Sequence, residues 1–232
     1  MTTFRLALTT TRDRAVQLID DVAGLGMETV VLPCIELIPA SEVVIDAARK
    51  ESSRSGWLLL TSPRTVQRLW PQGGMPATKV AAVGQSTAQA VRNAGGRLAY
   101  VGDGGARELA DRIALVVAGQ TIYFPHAAGA DRSTIDLLED AGATVRSQVV
   151  YESRPVPPGD DEVDAVVFGS SSAVSGWFLS RGLDGLAIGV IGKSTAATVA
   201  EYGYELDVTA TSPSYGEVIR LIAGFLREGS TV

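Results

Sequence analysis

The chain has 232 residues, a length that allows one large domain or two of ordinary size. Its hydrophobic content of 46% is enough to fill two cores, and its net charge of -6 argues against nonspecific nucleic-acid binding, which needs a basic surface. A single cysteine, Cys34, excludes an internal disulfide, and a single histidine, His126, leaves little for a zinc site or a histidine-based triad. We find no signal peptide and no apolar run of the roughly 18 residues that span a bilayer. We therefore expect a cytoplasmic, globular protein that binds neither nucleic acid nor membrane.

The first 40 residues predict a strand, a helix, a second strand and an extended crossing. The strands are expected at 5–10 and 29–32. The helix between them is expected to bury one face, formed by Ala15, Leu18, Ile19 and Val22. Segment 33–39 is bracketed by prolines, which predicts a linker strand outside the core.

The rest of the chain alternates in the same way. Strands are predicted at 57–61, 79–83, 97–101, 120–124, 144–151, 164–168, 186–191 and 205–209. Helices are predicted at 42–53, 63–70, 86–94, 105–117, 131–141, 171–180, 194–202 and 214–227. Strands that alternate with helices of about ten residues are typical of an α/β protein with parallel sheets covered on both faces. We therefore expect two similar flavodoxin-like domains, each a doubly wound parallel sheet.

One stretch of the sequence occurs twice, at an offset of 108 residues. Residues 62–66 correspond to 170–174, and residues 83–88 correspond to 191–196. The apolar runs before them and the glycines after them repeat as well: 57–60 with 165–168, and Gly95 with Gly203. A fixed offset across about 40 residues indicates an internal repeat.

The loops after the predicted strands are small and rich in hydroxyl groups. Ligands of such sheets bind beyond the carboxyl ends of the strands, where helix N-termini present free N–H groups. The polar residues expected there are Thr10, Thr11, Arg12, Thr61, Ser62, Gln85, Ser86, Thr87, Ser170, Ser171, Ser172, Lys193, Ser194, Thr195, Ser212, Ser214 and Tyr215. This composition suits a polyanion held by neutral donors and helix dipoles. The alternative is that these residues are ordinary helix caps.

Segment 187–194 matches a relaxed phosphate-loop pattern, which would indicate a nucleotide-binding enzyme. That motif needs a flexible loop, whereas the positions between Ala187 and Gly192 are apolar and strand-like. The repeated segment at 79–86 has Gln85 where this one has Lys193. Nucleotide hydrolysis is therefore disfavoured.

Three further residues carry reactive groups. Tyr151 lies where a strand leaves one half of the chain for a proline-rich crossing, so its hydroxyl could face an interdomain cleft or pack at a domain edge. His126 follows the end of a predicted strand, where a lone histidine is more often incidental. Cys34 is expected to be a small apolar filler.

Taken in order, these motifs resemble the uroporphyrinogen-III synthase family over essentially the whole chain. The matching segments are 11–12, Pro33 with 35–36, 61–66, 83–88, 150–152, 170–174, 191–196 and 212–214. Each is weak alone, and the ordered set with the tyrosine at the second crossing is specific. Many relatives carry a basic or glycine-rich run where this chain has 125–132, so the role of Arg132 stays open, as does that of His126.

The resemblance implies a domain arrangement that the repeat alone does not give. The family has two domains joined by a two-strand linker, each completed by chain from the other half. Carried over, domain one is 1–33 plus 155–232, domain two is 38–150, and the linker strands are 34–37 and 151–154. The repeat by itself places the division near residue 119.

The resemblance also implies a reaction, that of a cyclising hydro-lyase of porphyrin and heme biosynthesis. Linear hydroxymethylbilane loses its hydroxyl, ring D inverts through a spiro intermediate, and the macrocycle closes to uroporphyrinogen III. The family's cleft tyrosine matches Tyr151, a proton donor to the departing hydroxyl. No metal or cofactor is implied. The implied partner is the small-molecule substrate of a monomeric enzyme, and a transient contact with the preceding pathway enzyme stays open.

The substrate carries eight carboxylates, and the resemblance assigns their binding to hydroxyl and cationic side chains. The implied substrate-binding residues are Thr11, Arg12, Ser62, Arg64, Ser86, Thr87, Ser170, Ser171, Lys193, Ser194 and Ser214. Two other classes of function remain as alternatives. A non-catalytic two-lobed binding protein for a small anionic ligand would tolerate Tyr151→Phe. A nucleotide-dependent enzyme would lose its activity on Lys193→Ala.

Overall fold

The computed structural model describes residues 3–102, 105–211 and 214–229. Its strands are β1 Arg5–Leu8, β2 Glu28–Val31, β3 Ile35–Pro39, β4 Trp57–Leu60, β5 Lys79–Val83, β6 Arg97–Gly102, β7 Thr121–Ala127, β8 Thr144–Pro155, β9 Ala165–Phe168, β10 Ala187–Val190 and β11 Val208–Thr209. Its helices are α1 Arg12–Val16, α2 Ile19–Ala23, α3 Glu42–Arg54, α4 Pro63–Leu69, α5 Gly84–Asn93, α6 Ala106–Val117, α7 Ser133–Asp140, α8 Ser171–Trp177, α9 Lys193–Glu201 and α10 Tyr215–Gly229. The chain divides into two compact units: unit 1 comprises Met1–Leu37 with Ser153–Val232, and unit 2 comprises Ile38–Glu152.

The sheet of unit 1 has the strand order β11-β10-β9-β1-β2 within the described residues, and its pairs are parallel. Read from the other edge and numbered along the chain, this is the order 2-1-3-4-5 of flavodoxin-like folds. Both faces of the sheet are buried. Leu6 and Leu8 pack in the core on one face, while Ala7 between them packs in the core on the other. The continuous apolar runs of β1 and β9 follow from this two-sided burial.

The sheet of unit 2 has the order β3-β8-β7-β4-β5-β6 within the described residues. The pairs β4–β5, β4–β7, β5–β6 and β7–β8 are parallel. Every residue of β4 is buried. Trp57 and Leu59 of this strand pack in a core with residues of α6 and α7. The predicted α/β class with parallel sheets covered by helices is confirmed.

The internal repeat is visible in the structure. Strand β4 and helix α4 have the same lengths as β9 and α8, and both pairs begin 108 residues apart. Gly95 and Gly203 end their helices with φ angles of 81° and 86°, a backbone region that suits glycine. The repeated motifs therefore specify the same local structure in both units.

Several predicted elements differ from those observed. The first predicted helix is split into α1 and α2, because the Leu18 N–H donates to the Ala15 carbonyl (2.9 Å) and tightens the turn. Ile19, predicted to be on the buried face, is 37% exposed. Strand 205–209 shortens to β11, since the Asp207 carboxylate accepts the Ile188 N–H (2.7 Å) that a longer strand would bind. Strands β7 and β8 extend beyond their predicted ends, to Ala127 and Pro155.

The segment predicted to be a linker outside the core is partly buried. Cys34 is inaccessible to solvent and Ile35 nearly so. The Cys34 N–H donates to the Thr9 carbonyl, and its carbonyl accepts the Val156 N–H, both at 2.9 Å. The start of the segment is therefore part of unit 1. Among the described residues, no helix is both long and apolar enough to cross a membrane.

Candidate functional site

In unit 1 the polar loops after β1, β9 and β10 lie at the carboxyl edge of one parallel sheet. Thr9 is buried, and its hydroxyl donates to the Val167 carbonyl (2.8 Å), so it ties β1 to β9. Thr11 is the N-cap residue of α1, and Arg12, the first residue of that helix, is exposed. The order of the strands thus places a cation beside the loops of β9 and β10.

Two predicted serines of unit 1 come together. The Ser171 hydroxyl lies 3.2 Å from the Ser194 hydroxyl and donates to the Ser194 carbonyl at 3.2 Å. Ser170 caps α8, since its side chain accepts the Ala173 N–H (3.2 Å). Lys193 is exposed at the first position of α9, a helix whose N-cap is Gly192 and which therefore lacks a side-chain cap. A cation at a helix N-terminus is unfavourable unless an anion is nearby, so this edge suits an anionic ligand.

Unit 1 also brings Tyr215, which the sequence places in the polar loop after the strand predicted at 205–209 without a role of its own, close to the loop after β9. Tyr215 begins α10, and its hydroxyl lies so close to Gly169 that a Cβ at position 169 would be 1.7 Å from it. The Arg14 guanidinium lies 6.0 Å from the centre of the Tyr215 ring. The glycine directly after a buried strand was the one signal for this close approach. Ser214 accepts the Glu217 N–H (3.4 Å), while Ser212 and Pro213 of the same predicted motif lie outside the described residues.

In unit 2 the structure joins the predicted tyrosine to a predicted serine. The Tyr151 hydroxyl donates to the Ser62 hydroxyl oxygen (3.3 Å), and this oxygen also accepts the Arg64 N–H (3.2 Å) as the N-cap of α4. Tyr151 is the last residue of β8 that pairs with β7, where it lies opposite Ala127. Only 8% of Tyr151 is exposed. A phenol held this way is oriented by the protein before any ligand binds.

The other predicted residues of unit 2 differ in accessibility. Helix α5 begins at Gly84, earlier than predicted, and its N-cap is Val83, whose side chain cannot cap. Ser86 is exposed in the first turn of this helix, whereas Thr87 is 1% exposed. Arg64 is partly buried at the start of α4. Thr87 therefore faces the core in this structure, while Ser86 faces solvent.

His126 and Arg132, whose roles the sequence leaves open, have local partners. The His126 ring nitrogen Nδ1 donates to the Ala127 carbonyl (2.8 Å), and its ring lies 4.7 Å from that of Phe124. Arg132 pairs with Asp136 one turn later on α7 (3.4 Å). Burial raises the pKa of the Cys34 thiol to about 12, although the charge of Arg181 opposes the shift. Cys34 is therefore a thiol at neutral pH and not a nucleophile.

The chemistry available at both edges is donation of hydrogen bonds and protons. Hydroxyls, cationic side chains and the N-termini of α5 and α9 can bind carboxylates. No group of three or more His, Cys, Asp or Glu side chains suited to a metal ion occurs in 3–102, 105–211 or 214–229. The Tyr151 phenol is held in one orientation by its hydrogen bond to Ser62, an arrangement that suits proton donation.

The chain is similar to known proteins both in sequence and in structure. A curated uroporphyrinogen-III synthase of Synechococcus elongatus is 29% identical over 233 residues, which cover 88% of this chain and 88% of that protein. A mutant uroporphyrinogen III synthase structure from the extremely thermophilic bacterium Thermus thermophilus matches with a TM-score of 0.67 and 17% identity, covering 99% of this chain and 100% of that one. The uroporphyrinogen-III synthetase structure from Helicobacter pylori matches with a TM-score of 0.67 and 14% identity, covering 96% and 99%.

At such identities the solved structures establish a common fold. A model of the family described as uroporphyrinogen-III synthase HemD matches residues 16–220, nearly the whole of both units. The motifs that carried the resemblance in the sequence fall almost entirely within that match. The chain belongs to the uroporphyrinogen-III synthase family.

Proposed function

We propose that the protein is a uroporphyrinogen-III synthase, which converts hydroxymethylbilane to uroporphyrinogen III with loss of water and inversion of ring D. The observation that carries the proposal is the Tyr151 hydroxyl, held by Ser62 at a hydroxyl-rich sheet edge in a chain of this family. The phenol is the acid that the leaving hydroxyl requires. The surrounding donors are suited to the carboxylates of the substrate.

The binding part of the proposal rests on donors that both edges present. The proposed substrate-binding residues are Thr11, Arg12, Ser62, Arg64, Ser86, Ser170, Ser171, Lys193, Ser194 and Ser214. Thr87, which the sequence also predicts, faces the core and is not included. Arginine and lysine supply local positive charge in a chain whose net charge is -6. The N-termini of α5 and α9 add backbone N–H groups that no side chain at the N-cap can occupy. A ligand with eight carboxylates can use many such donors at once.

The catalytic part assigns one proton transfer to the protein. Tyr151 donates its proton to the hydroxyl of the linear substrate, which leaves as water, and the remaining cation is stabilised by its pyrrole nitrogen. A carbon of ring D attacks this cation to form the spiro intermediate, and rearrangement and closure release one proton, which returns to the Tyr151 phenolate. Holding the flexible substrate in the productive geometry supplies the rest of the acceleration.

The proposal extends to the organisation of the enzyme. We take units 1 and 2 as the family's two domains, with 34–37 and 151–154 as the linker strands. The enzyme would act as a monomer in the cytoplasm. The chemistry above requires neither metal nor cofactor, because the leaving group is activated by a proton alone.

A coupled assay tests the function directly. Hydroxymethylbilane is generated in the reaction mixture, the protein is added without metal or nucleotide, and the oxidised products are separated into isomers I and III. Isomer III in excess over the spontaneous isomer I is the expected result. Folded protein that yields isomer I alone would contradict the proposal and favour a non-catalytic anion-binding protein.

The role of Tyr151 is tested by Tyr151→Phe in the same assay. Loss of a general acid is expected to lower kcat by about 10²–10⁴-fold, because the ring remains and only the proton donor is removed. A variant as active as the wild type would exclude Tyr151 as the acid while leaving the proposed reaction intact.

A further inference from the structure

Ser62 makes one more hydrogen bond than its role as a helix cap needs. A serine hydroxyl has two lone pairs and one proton. At Ser62 the lone pairs accept the Arg64 N–H (3.2 Å) and the Tyr151 O–H (3.3 Å). The serine's own proton therefore remains available for donation.

The internal repeat separates these two roles. Ser170 corresponds to Ser62 at the offset of 108, and it caps α8 by accepting the Ala173 N–H at the same distance of 3.2 Å. Capping thus accounts for a serine at both positions. It does not account for the bond between Ser62 and a tyrosine 89 residues away.

The order of the strands explains how that bond forms. Tyr151 is on β8, Ser62 follows β4, and β7 lies between these strands. Neighbouring strands are about 4.8 Å apart, so strands on either side of one intervening strand are roughly 10 Å apart. The tyrosine side chain, its hydrogen bond and the serine side chain together bridge this distance. The hydroxyl at the tip of such a long side chain needs a partner to fix it, and Ser62 is that partner.

We propose that Ser62, beyond its place among the proposed substrate-binding residues, is a positioning residue for Tyr151, and that its main contribution to the rate passes through the phenol. This inference rests on the proposed function. In the resting enzyme Ser62 accepts the phenol O–H and sets its direction. After the phenol proton has moved to the leaving hydroxyl, the Ser62 hydroxyl rotates and donates a hydrogen bond to the phenolate. The serine proton stays on its oxygen throughout, and the phenolate regains the proton that macrocycle closure releases.

A double-mutant cycle tests this role. Ser62→Ala is expected to lower kcat about fivefold to tenfold, the factor that an ordinary hydrogen bond contributes, with KM for hydroxymethylbilane changed less than about twofold. In the Tyr151→Phe background the same change is expected to have no further effect on the residual formation of isomer III, because the group that Ser62 positions is absent. Ser62→Thr keeps the hydroxyl and is expected to restore most of the rate.

Three variants separate positioning from folding and from binding. Ser62→Gly removes the hydroxyl and caps a helix almost as well as serine, so it is expected to reproduce the kinetics of Ser62→Ala in a more stable protein. Ser41→Ala removes the cap of α3, where Ser41 accepts the Val44 N–H (3.5 Å), and is expected to leave kcat unchanged. Ser170→Ala, at a proposed substrate-binding position, is expected to act equally in the wild-type and Tyr151→Phe backgrounds.

Each outcome of the cycle decides the proposal. Equal losses from Ser62→Ala in both backgrounds, a rise in KM with kcat unchanged, or no loss in the wild-type background would overturn the positioning role. None of these results would affect the proposed reaction, which depends on the formation of isomer III by the wild type. Full activity of Tyr151→Phe would overturn the acid and its positioning residue together.

Discussion

Replacing Gly176 with alanine tests how closely α8 packs against the two chain segments that meet beneath it in unit 1. A methyl group at position 176 would lie 2.0 Å from the Cys34 carbonyl oxygen and 2.8 Å from the Val156 carbonyl oxygen. Carbon and oxygen approach to about 3.3 Å without a clash. The nearer overlap is therefore more than about 1 Å, and both obstacles are backbone atoms.

The size of the stability change depends on whether α8 or the backbone at Cys34 can move to relieve the overlap. Alanine is favoured over glycine inside a helix by about 1 kcal/mol, so propensity alone predicts a more stable protein. Against this, the Cys34 carbonyl is fixed by the Val156 N–H (2.9 Å), and the Cys34 N–H by the Thr9 carbonyl (2.9 Å). Relief requires α8 to shift or these bonds to break, and overpacking of this kind costs up to about 3 kcal/mol or more. We expect a net loss of about 2–3 kcal/mol and a fall in Tm of about 10 °C.

Thermal and urea unfolding measured by circular dichroism would show the change, and amide exchange in α8 would locate it. Gly224→Ala is the matched control, because Gly224 lies in α10 and its added Cβ would meet no atom within 4 Å. That variant is expected to be more stable than the wild type by about 0.5–1 kcal/mol. If Gly176→Ala melted at or above the wild-type Tm, the packing argument would be wrong and helix propensity would decide the sign.

Two further predictions concern unit 1. Burial raises the pKa of Cys34 from 9.0 to about 12, so the thiol ionises at lower pH in the unfolded chain; its contribution to stability is present below pH 9 and is lost as the pH rises toward 12. Urea unfolding from pH 8 to 11 should show that the free energy of unfolding falls less steeply with pH in Cys34→Ala than in the wild type. An equal fall in both proteins would contradict the raised pKa of Cys34. In Gly169→Ala the added Cβ would lie 1.7 Å from the Tyr215 hydroxyl, a movable side-chain end, so we expect a cost of only about 1 kcal/mol. Tyr215→Ala should abolish that cost in the double variant, and a cost that persisted would place the clash elsewhere.

Most of the fold could be predicted because its signals are local. The all-apolar runs at β4 and β9 are buried throughout, and the glycines after α5 and α9 have the positive φ angles that such positions favour. The failures occurred where a side chain or a tightened turn replaced a regular backbone bond. Asp207 shortens β11 with its carboxylate, and the turn at Leu18 divides one amphipathic helix into two. The hydrophobic periodicity of the sequence predicts neither of these hydrogen bonds.

The candidate site was predictable as a set of residues but not as a set of contacts. Serines that cap helices are visible in the sequence, and both Ser62 and Ser170 cap as expected. The contact between Tyr151 and Ser62 depends on which strand lies beside which. The sequence places Tyr215 in the loop after the strand predicted at 205–209. Its position over Gly169 could not be predicted, because it depends on how a loop and a helix pack together.

The two sheets have the same strand order, and this order shows which strands of the two units correspond. In unit 1 the strands run β2-β1-β9-β10-β11, and in unit 2, from β8 onward, they run β8-β7-β4-β5-β6. Strands β4 to β6 therefore correspond to β9 to β11, and β7 and β8 correspond to β1 and β2. Sequence patterning does not decide whether β7 pairs with β4 or with β9, because either neighbour offers the same kind of buried apolar strand.

In the structure each half of the chain contributes its first two strands to the sheet formed by the other half. Leu6 of β1 is in register with Ala165 of β9, and Trp57 of β4 is in register with Ile122 of β7. Tyr151 is on β8, one of these exchanged strands, so it lies on the sheet that carries Ser62. Pairing of β7 and β8 with β9 would have brought the same tyrosine toward Ser170 instead. The exchange of strands, more than the motifs themselves, therefore determines which of two equivalent serines orients the phenol.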